Sequence, residues 1–237
     1  MKNEKLIRNR QIVLDTETTG LDPKQGHKII EIGCVEMINR RLTGNNYHQY
    51  LQPDREIDEG AQAVHGISNE FLADKPRFSD IVQDFIKYVD GAELIIHNAP
   101  FDVGFLDNEL KQAGVEFGKL STYCSVIDTL VMARKMRPGK KNNLNILCKE
   151  YEVNNAHREL HGALLDSELL AEVYLHMTGG QSNLSLESED LSISATGISV
   201  AKKLSADRKP IKIIKASDDE LQAHQAIIVT MGKESWH

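Results

Sequence analysis

The chain's 237 residues suffice for one good-sized domain with an appendage, or for two small domains, and its 41% hydrophobic and 27% charged content is that of a globular protein in water. No apolar run reaches the length of a membrane span or, behind Met1–Lys5, of a signal peptide. Three scattered cysteines (Cys34, Cys124, Cys148) without a C-x-x-C argue against a disulfide framework or a zinc site, so a reducing cytoplasm is the expected compartment. The net charge of −7 argues against a general basic field that coats nucleic acid, though not against a local grip on a polynucleotide end.

In chain order, Arg10–Asp15 reads as a strand, followed by the turn Gly20-Leu21-Asp22-Pro23 and by strands over Lys28–Ile38 and Tyr47–Leu51. An acidic loop, Asp54–Glu59, precedes Val64-His65-Gly66-Ile67. Apolar residues at 78, 81, 82, 85, 86 and 89 predict a helix over Phe78–Val89. Leu94–Ile96 reads as a short buried strand broken by Pro100, and helices are expected at about Asp102–Ala113, Thr129–Met136, Leu144–Tyr151 and Gly162–Met177. The pattern predicts an α/β domain over residues 1–180, a mixed sheet flanked by helices. Serine-rich residues 181–210 read as a flexible linker. In the tail, 211–237, Ile211–Ile214 reads as a short strand, Ser217-Asp218-Asp219-Glu220 has the form of a helix capping box, and Ala226–Val229 is apolar. That tail is too short to bury a core alone and suits a segment that folds on a partner.

Chemistry concentrates first in Asp15-Thr16-Glu17-Thr18-Thr19-Gly20. Strand alternation puts Asp15 and Glu17 on one face, and two such charges beside a core call for a cation. Asp102 follows the strand 94–96 and reads alone as a helix N-cap. Asp166 lies on the apolar stripe of its helix, with Leu169, Leu170, Val173 and Met177. A carboxylate there needs a partner Arg or Lys, a proton or a metal. His161 stands five residues before it.

Together, Asp15-x-Glu17, His97-Asn98-Ala99-x-Phe101-Asp102 and His161-x-x-x-x-Asp166 resemble, in order and spacing, the three motifs of the histidine-bearing DEDD exonucleases. With Val64-His65-Gly66-Ile67 and the appended tail, the chain is similar to the DnaQ family, the proofreading epsilon subunits of bacterial DNA polymerase III. The resemblance implies a ribonuclease H-like fold and 3′→5′ removal of nucleotides from a single-stranded or frayed 3′ end of DNA. It implies Asp15, Glu17, Asp102 and Asp166 as ligands of two divalent ions, Mg²⁺ or Mn²⁺, and His161 as the base that deprotonates the attacking water. Substrate contacts are implied at Asp15, Glu17, His65, Phe101 and Asp166. Gln181, Leu184 and Leu186 fall where the family has a sliding-clamp peptide (181–186), and the far tail where it binds the polymerase's catalytic (alpha) subunit. A small theta-like accessory subunit is a further candidate partner. The chain departs from the family at Gly60, where a glutamate is expected near the terminal nucleotide.

Arg134–Lys141 is locally basic and reads either as a phosphate contact or as a solvated loop. Two rival functions stand beside proofreading: an RNA-directed DEDD exonuclease that trims RNA or degrades oligoribonucleotides, and a non-catalytic adaptor that tethers polymerase to clamp.

Overall fold

In the computed structural model, which describes residues 10–158, 160–179 and 217–230, Ile12, Val13 and Leu14 are completely buried. A strand buried on both faces belongs inside a sheet covered on both sides. The strands are β1 (Arg10–Thr18), β2 (Ile29–Ile38), β3 (Arg41–Leu42), β4 (Tyr47–Tyr50), β5 (Glu93–Ile96) and β6 (Ser125–Asp128). They form one mixed sheet in the order β3-β2-β1-β5-β6, with β4 also paired to β2. β1 runs antiparallel to β2 and parallel to β5, and β5 parallel to β6. The expected mixed sheet flanked by helices is therefore present.

The helices are α1 (Glu59–His65), α2 (Asn69–Leu72), α3 (Phe78–Val89), α4 (Ala99–Ala113), α5 (Thr129–Met136), α6 (Leu144–Glu150), α7 (Ala163–Gly179) and α8 (Asp218–Thr230). Alternation along β1 divides the core. Ile12 and Leu14 pack with Phe85 of α3 and Phe105 and Leu106 of α4. Val13 faces the other way, onto Leu170, Ala171 and Tyr174 of α7. Helices α5 and α6 close that second layer through Ala133, Leu147 and Cys148, packed with Leu169 and Val173. Each fully buried aliphatic or aromatic side chain contributes roughly 1.5–3 kcal/mol, so the two clusters hold the sheet from both sides.

The structure corrects several expected boundaries. β1 runs three residues past Asp15, pairing Asp15 with Gly33 and Glu17 with Glu31 before a bulge at Glu17/Thr18. The carboxylates thus sit inside the ladder, because backbone pairing does not require apolar side chains. Helix α4 starts at Ala99 with Pro100 in its first turn. Pro100 thus opens a helix rather than merely ending a strand, since a first-turn N–H needs no intrahelical partner. Helix α1 begins at the last residue of the expected acidic loop, Glu59, and α2, β3 and β6 had no counterpart in the sequence reading. Strand β6 is an edge whose Ser125 and Val126 are exposed, so it carries no apolar run.

The chain divides into two units, Met1–Leu184 and Ser185–His237. In the second, α8 begins at the expected capping box: the Ser217 amide donates to Glu220 Oε2 at 2.8 Å, and the Glu220 amide approaches Ser217 Oγ at 3.4 Å. The linker, the clamp-motif residues Gln181, Leu184 and Leu186, and the expected strand Ile211–Ile214 lie outside the described residues. Among the described residues, no helix is long and apolar enough to cross a membrane.

One contact sets where α7 sits. A Cβ at Gly33 would fall 2.2 Å from the backbone of Ala163 and Leu164, so the helix start lies directly on β2. The Ala163 amide donates to Glu31 Oε2 (3.1 Å) and Ser167 Oγ donates to the Gly33 carbonyl (2.9 Å). Glu31 thereby places negative charge at the positive end of the helix. Gly33→Ala should lower the unfolding free energy by about 1–3 kcal/mol, the usual cost of overpacking, in urea denaturation. Stability equal to wild type would contradict this close approach.

Candidate active site

Three elements converge at one cavity of about 460 Å³. Strand β1 supplies Asp15 and Glu17, on the same face as Val13 and hence toward α7. The first turn of α4 supplies Asp102, and the first turn of α7 supplies Asp166. His161 stands in the segment before α7, its amide donating to the Val64 carbonyl of α1 at 3.1 Å. All five residues line this cavity, with Phe101 beside them.

Asp102 is not the N-cap that the sequence alone suggests. Asn98 caps α4, held in the left-handed region at φ 66°, ψ 50°. Asp102 is buried one turn in, and its Oδ1 accepts from the Thr16 amide (3.1 Å) and the Thr16 hydroxyl (2.7 Å). Strand β1 therefore positions Asp15 and Glu17 with its α7 face, and orients Asp102 through Thr16 between them.

Asp166 is held by Arg158, which donates from Nε to Oδ1 and from Nη2 to Oδ2 (2.5 Å). Both side chains are 5% exposed. Arg158 also donates to Asn145 Oδ1 (2.7 Å) and meets His161 Nδ1 at 3.1 Å, while His161 Nδ1 lies 3.6 Å from Asp166 Oδ2. Of the alternatives open for Asp166, pairing with an arginine is thus realised. Arg158, Asn145 and Thr16 were missed by sequence reasoning. Arg158 lies in irregular chain, where no periodicity marks a residue, and its distance from His161 matches no motif.

Charge dominates this cavity. Burial first, then the charges of Asp102, Glu17 and Asp166, pushes the Asp15 carboxyl well above its usual range. Burial, Asp166, Glu31 and Asp102 push Glu17 up to about 8. Burial lifts Asp102 to about 7 against the pull of the Thr16 hydrogen bonds. Arg158 is the cation that relieves both Asp15 and Glu17. Burial and Arg158 hold His161 below its ordinary value, with Asp166 opposing. A site so over-supplied with negative oxygen fits hard divalent cations, and ligand atoms of Glu17, His161 and Asp166 lie within 4.8 Å of one another.

A second cavity, also about 460 Å³, shares Thr16, Glu17 and Phe101 with the first. Leu21, Val64 and His65 line it, and Gly60 leaves its wall open, since a Cβ there would meet nothing within 4 Å. His65 ends α1 and is buried. Its Nδ1 accepts from the Ile67 amide (3.0 Å), while Nε2 has no partner in bonding geometry. Phe101 packs on Phe105 at 5.0 Å between ring centroids, so it is both core and cavity wall. Three of the expected site residues, Gln181, Leu184 and Leu186, lie outside the described residues; the remainder are brought together here.

The raised carboxyls fix a pH dependence. Glu17 has an ordinary value of 4.5 and about 8 in the fold, so the folded state binds the proton more tightly. Without cations, the fold should therefore lose stability as pH rises from about 4.5 to about 8, and the full penalty should stand above that window. Divalent cation should flatten the loss, because the charged carboxylates then have a partner. Urea midpoints across this window, with chelator and with Mn²⁺, measure both; a chelated midpoint that rises over it contradicts the assignment.

Comparison with known proteins places this geometry. Residues 12–174 match the Exonuclease (RNase_T) family. The DNA polymerase III subunit epsilon of Salmonella typhimurium is 52% identical, covering 92% of this chain and 91% of that protein. The same subunit of Escherichia coli K12 is 50% identical over the same shares, and that of Haemophilus influenzae 52% identical over 96% and 92%. Among solved structures, Exonuclease X in complex with 5′ overhanging duplex DNA aligns with TM-score 0.57 and 28% identity, covering 71% of this chain and 91% of that one. Exonuclease I without ligand aligns with TM-score 0.60 and 16% identity over 72% and 42%, a likeness of fold alone. The chain belongs to the exonuclease family and, within it, to the epsilon subunits of DNA polymerase III.

Proposed function

We propose that Asp15, Glu17, Asp102 and Asp166 hold two divalent ions, Mg²⁺ or Mn²⁺, in a chain that serves as the 3′→5′ exonuclease proofreading subunit of the bacterial replicative DNA polymerase. The observation that carries this is the convergence of four carboxylates from three elements, three of them raised by burial, on one cavity beside an imidazole. The chemistry supplied by bound ions is the acidification of water and the neutralisation of charge on the phosphate and the leaving 3′ oxygen.

The chain's own residues do the rest. His161 takes the proton of the attacking water; its depressed pKa keeps it neutral near pH 7, as a base must be. Arg158 holds Asp166 in place and donates to His161 Nδ1; because that contact occupies the neutral ring's one lone pair, the ring has to leave Arg158 to act as the base. The terminal nucleoside fits the second cavity, where Phe101, Val64 and Leu21 offer apolar walls and His65 Nε2 an N–H donor, since Nδ1 accepts from Ile67. Packing on base faces tolerates every sequence, which suits a proofreader. Gly60 offers no side chain at the position of the family's glutamate, leaving Asp58 and His65 as polar groups of that wall. Selectivity then comes from fraying, since unstacking a mispaired end costs less than unstacking a paired one.

Residues 211–237 serve as the segment for the catalytic alpha subunit: α8 leaves Leu221 and Ile227 more than half exposed (54% and 59%). Residues 181–186 serve the sliding clamp through Gln181, Leu184 and Leu186, a theta-like subunit is a candidate partner of the first unit, and the cytoplasm is the working compartment. Relatives that match over nine-tenths of the chain are polymerase subunits, which favours DNA over the RNA-directed reading.

Digestion of 5′-labelled single-stranded DNA and RNA, with Mg²⁺ or chelator, tests the activity; digestion that persists in chelator, or that is confined to RNA, refutes it. His161→Ala should lower turnover by about 10²–10⁴-fold with little change in DNA affinity. Near-wild-type turnover at saturating metal would remove His161 as the base. Deletion of residues 181–237 should leave hydrolysis of free single strands intact and abolish co-purification with the polymerase; a truncated chain still recovered with polymerase would disprove the tail assignment.

A further inference from the structure

A third cleft, about 540 Å³, adjoins the carboxylate cavity. It shares His97, Asn98 and Asn143 with the carboxylate cavity and no residue with the nucleoside pocket, so each of the two meets the carboxylate cavity through a different set of residues. The rest of its wall is Leu130, Asn142 and three cations: Arg134, at the end of α5, with Lys140 and Lys141 of the following loop. No acidic side chain lines it. Asp128, the carboxylate that faces His97, is occupied as the N-cap of α5 by the amides of Leu130 and Val131.

These three cations are exposed, and among the described residues none has a salt bridge or side-chain hydrogen bond. Their neighbour Arg137 differs. It is committed to Asn142 Oδ1 (3.2 Å) and to Glu150 (2.7 Å). Asn142 is buried and returns a bond from Nδ2 to the Lys140 carbonyl (2.9 Å). The loop is thus fixed from within by Arg137 and Asn142, while Arg134, Lys140 and Lys141 are left pointing their charge at an open cleft. Like charges gathered on one wall of a chain that carries −7 overall repel one another and gain from a multivalent anion.

We propose that this cleft holds the backbone phosphates of the nucleotides on the 5′ side of the scissile bond, so that the substrate strand runs from the basic cleft, over the carboxylates, to its 3′ end in the apolar pocket. The inference rests on the exonuclease reading above and adds the path and polarity of the strand. Arg134, Lys140 and Lys141 bind substrate through charge alone; they read no base and touch no reacting atom.

The test compares the full chain with a variant carrying Arg134→Ala, Lys140→Ala and Lys141→Ala on two substrates. One is a single-stranded oligodeoxynucleotide. The other is the nitrophenyl ester of thymidine 5′-monophosphate, which has a scissile diester but no phosphates on its 5′ side. The variant should show a KM for the oligonucleotide raised on the order of tenfold, with kcat little changed. Its dependence of log kcat/KM on log salt should be shallower by about 2, at roughly 0.7 per single-strand phosphate contact. Hydrolysis of the nitrophenyl ester should be unchanged, and the charge-retaining set Arg134→Lys, Lys140→Arg, Lys141→Arg should keep the wild-type KM. An unaltered oligonucleotide KM and salt slope, in a chain that hydrolyses both substrates, overturns the strand path while leaving the exonuclease reading intact. An equal loss on both substrates also overturns it, because these residues would then serve the fold or the chemistry. A wild-type chain inactive on both overturns the exonuclease reading and this inference with it.

Discussion

Repulsion among four carboxylates at the centre of the sheet is the constraint around which this fold is arranged. Asp15 and Glu17 lie within a strand whose neighbouring residues Ile12, Val13 and Leu14 have no exposure at all, and Asp102 and Asp166 arrive from helices on either face. Glu17, Asp102 and Asp166 are buried and Asp15 partly so; burial raises the cost of charge on Asp15, Glu17 and Asp102, and Asp102 and Asp166 raise it further for Asp15 and Glu17. Arg158 answers part of this charge with a two-pronged grip on Asp166. One guanidinium cannot balance four carboxylates, and the remainder is what the proposed divalent ions would neutralise.

Such a cluster persists only if packing elsewhere forces it together. The apolar layers do so from both sides: α3 and α4 on Ile12 and Leu14, α7 on Val13. The position of α7 in particular is over-determined. Gly33 admits its backbone, Glu31 receives its first amide and Ser167 bonds the Gly33 carbonyl, so Asp166 cannot retreat from Asp15 without breaking all three. Stability accumulated in the core is thereby spent on holding like charges together, and local rules of burial fail at the functional site while holding around it.

What the sequence disclosed follows from this division. The α3 span was legible to the residue, because its apolar spacing is dictated by a core. Asp15 and Glu17 were legible as a pair because a strand alternates, and Asp166 because it interrupts a stripe that should be apolar. Asp102 was ambiguous: a carboxylate near a helix start is usually a cap, and only the left-handed Asn98 before it, invisible to periodicity, moves the cap away. Helices α1 and α2 are too short to show a period, and β6 is an exposed edge. Arg158 and the Asn142 lock act through irregular chain, where tertiary contact alone determines what a residue meets.

The same logic bears on how the proposed proofreader would choose its substrate. The nucleoside pocket offers broad apolar surfaces in Leu21, Val64 and Phe101, which pack on any base, and Gly60 leaves part of its wall open. A site of this kind accepts whatever single-stranded end reaches it, so discrimination has to precede binding, in the ease with which an end separates from its template. The rate of excision then depends on how often a frayed end meets the site. A tether to the polymerase raises that encounter frequency through effective concentration, with no new contact at the carboxylates. Catalytic power and biological specificity would thus reside in different parts of the chain: the first in a rigid, charge-strained sheet centre, the second in the segment that brings it to the primer end.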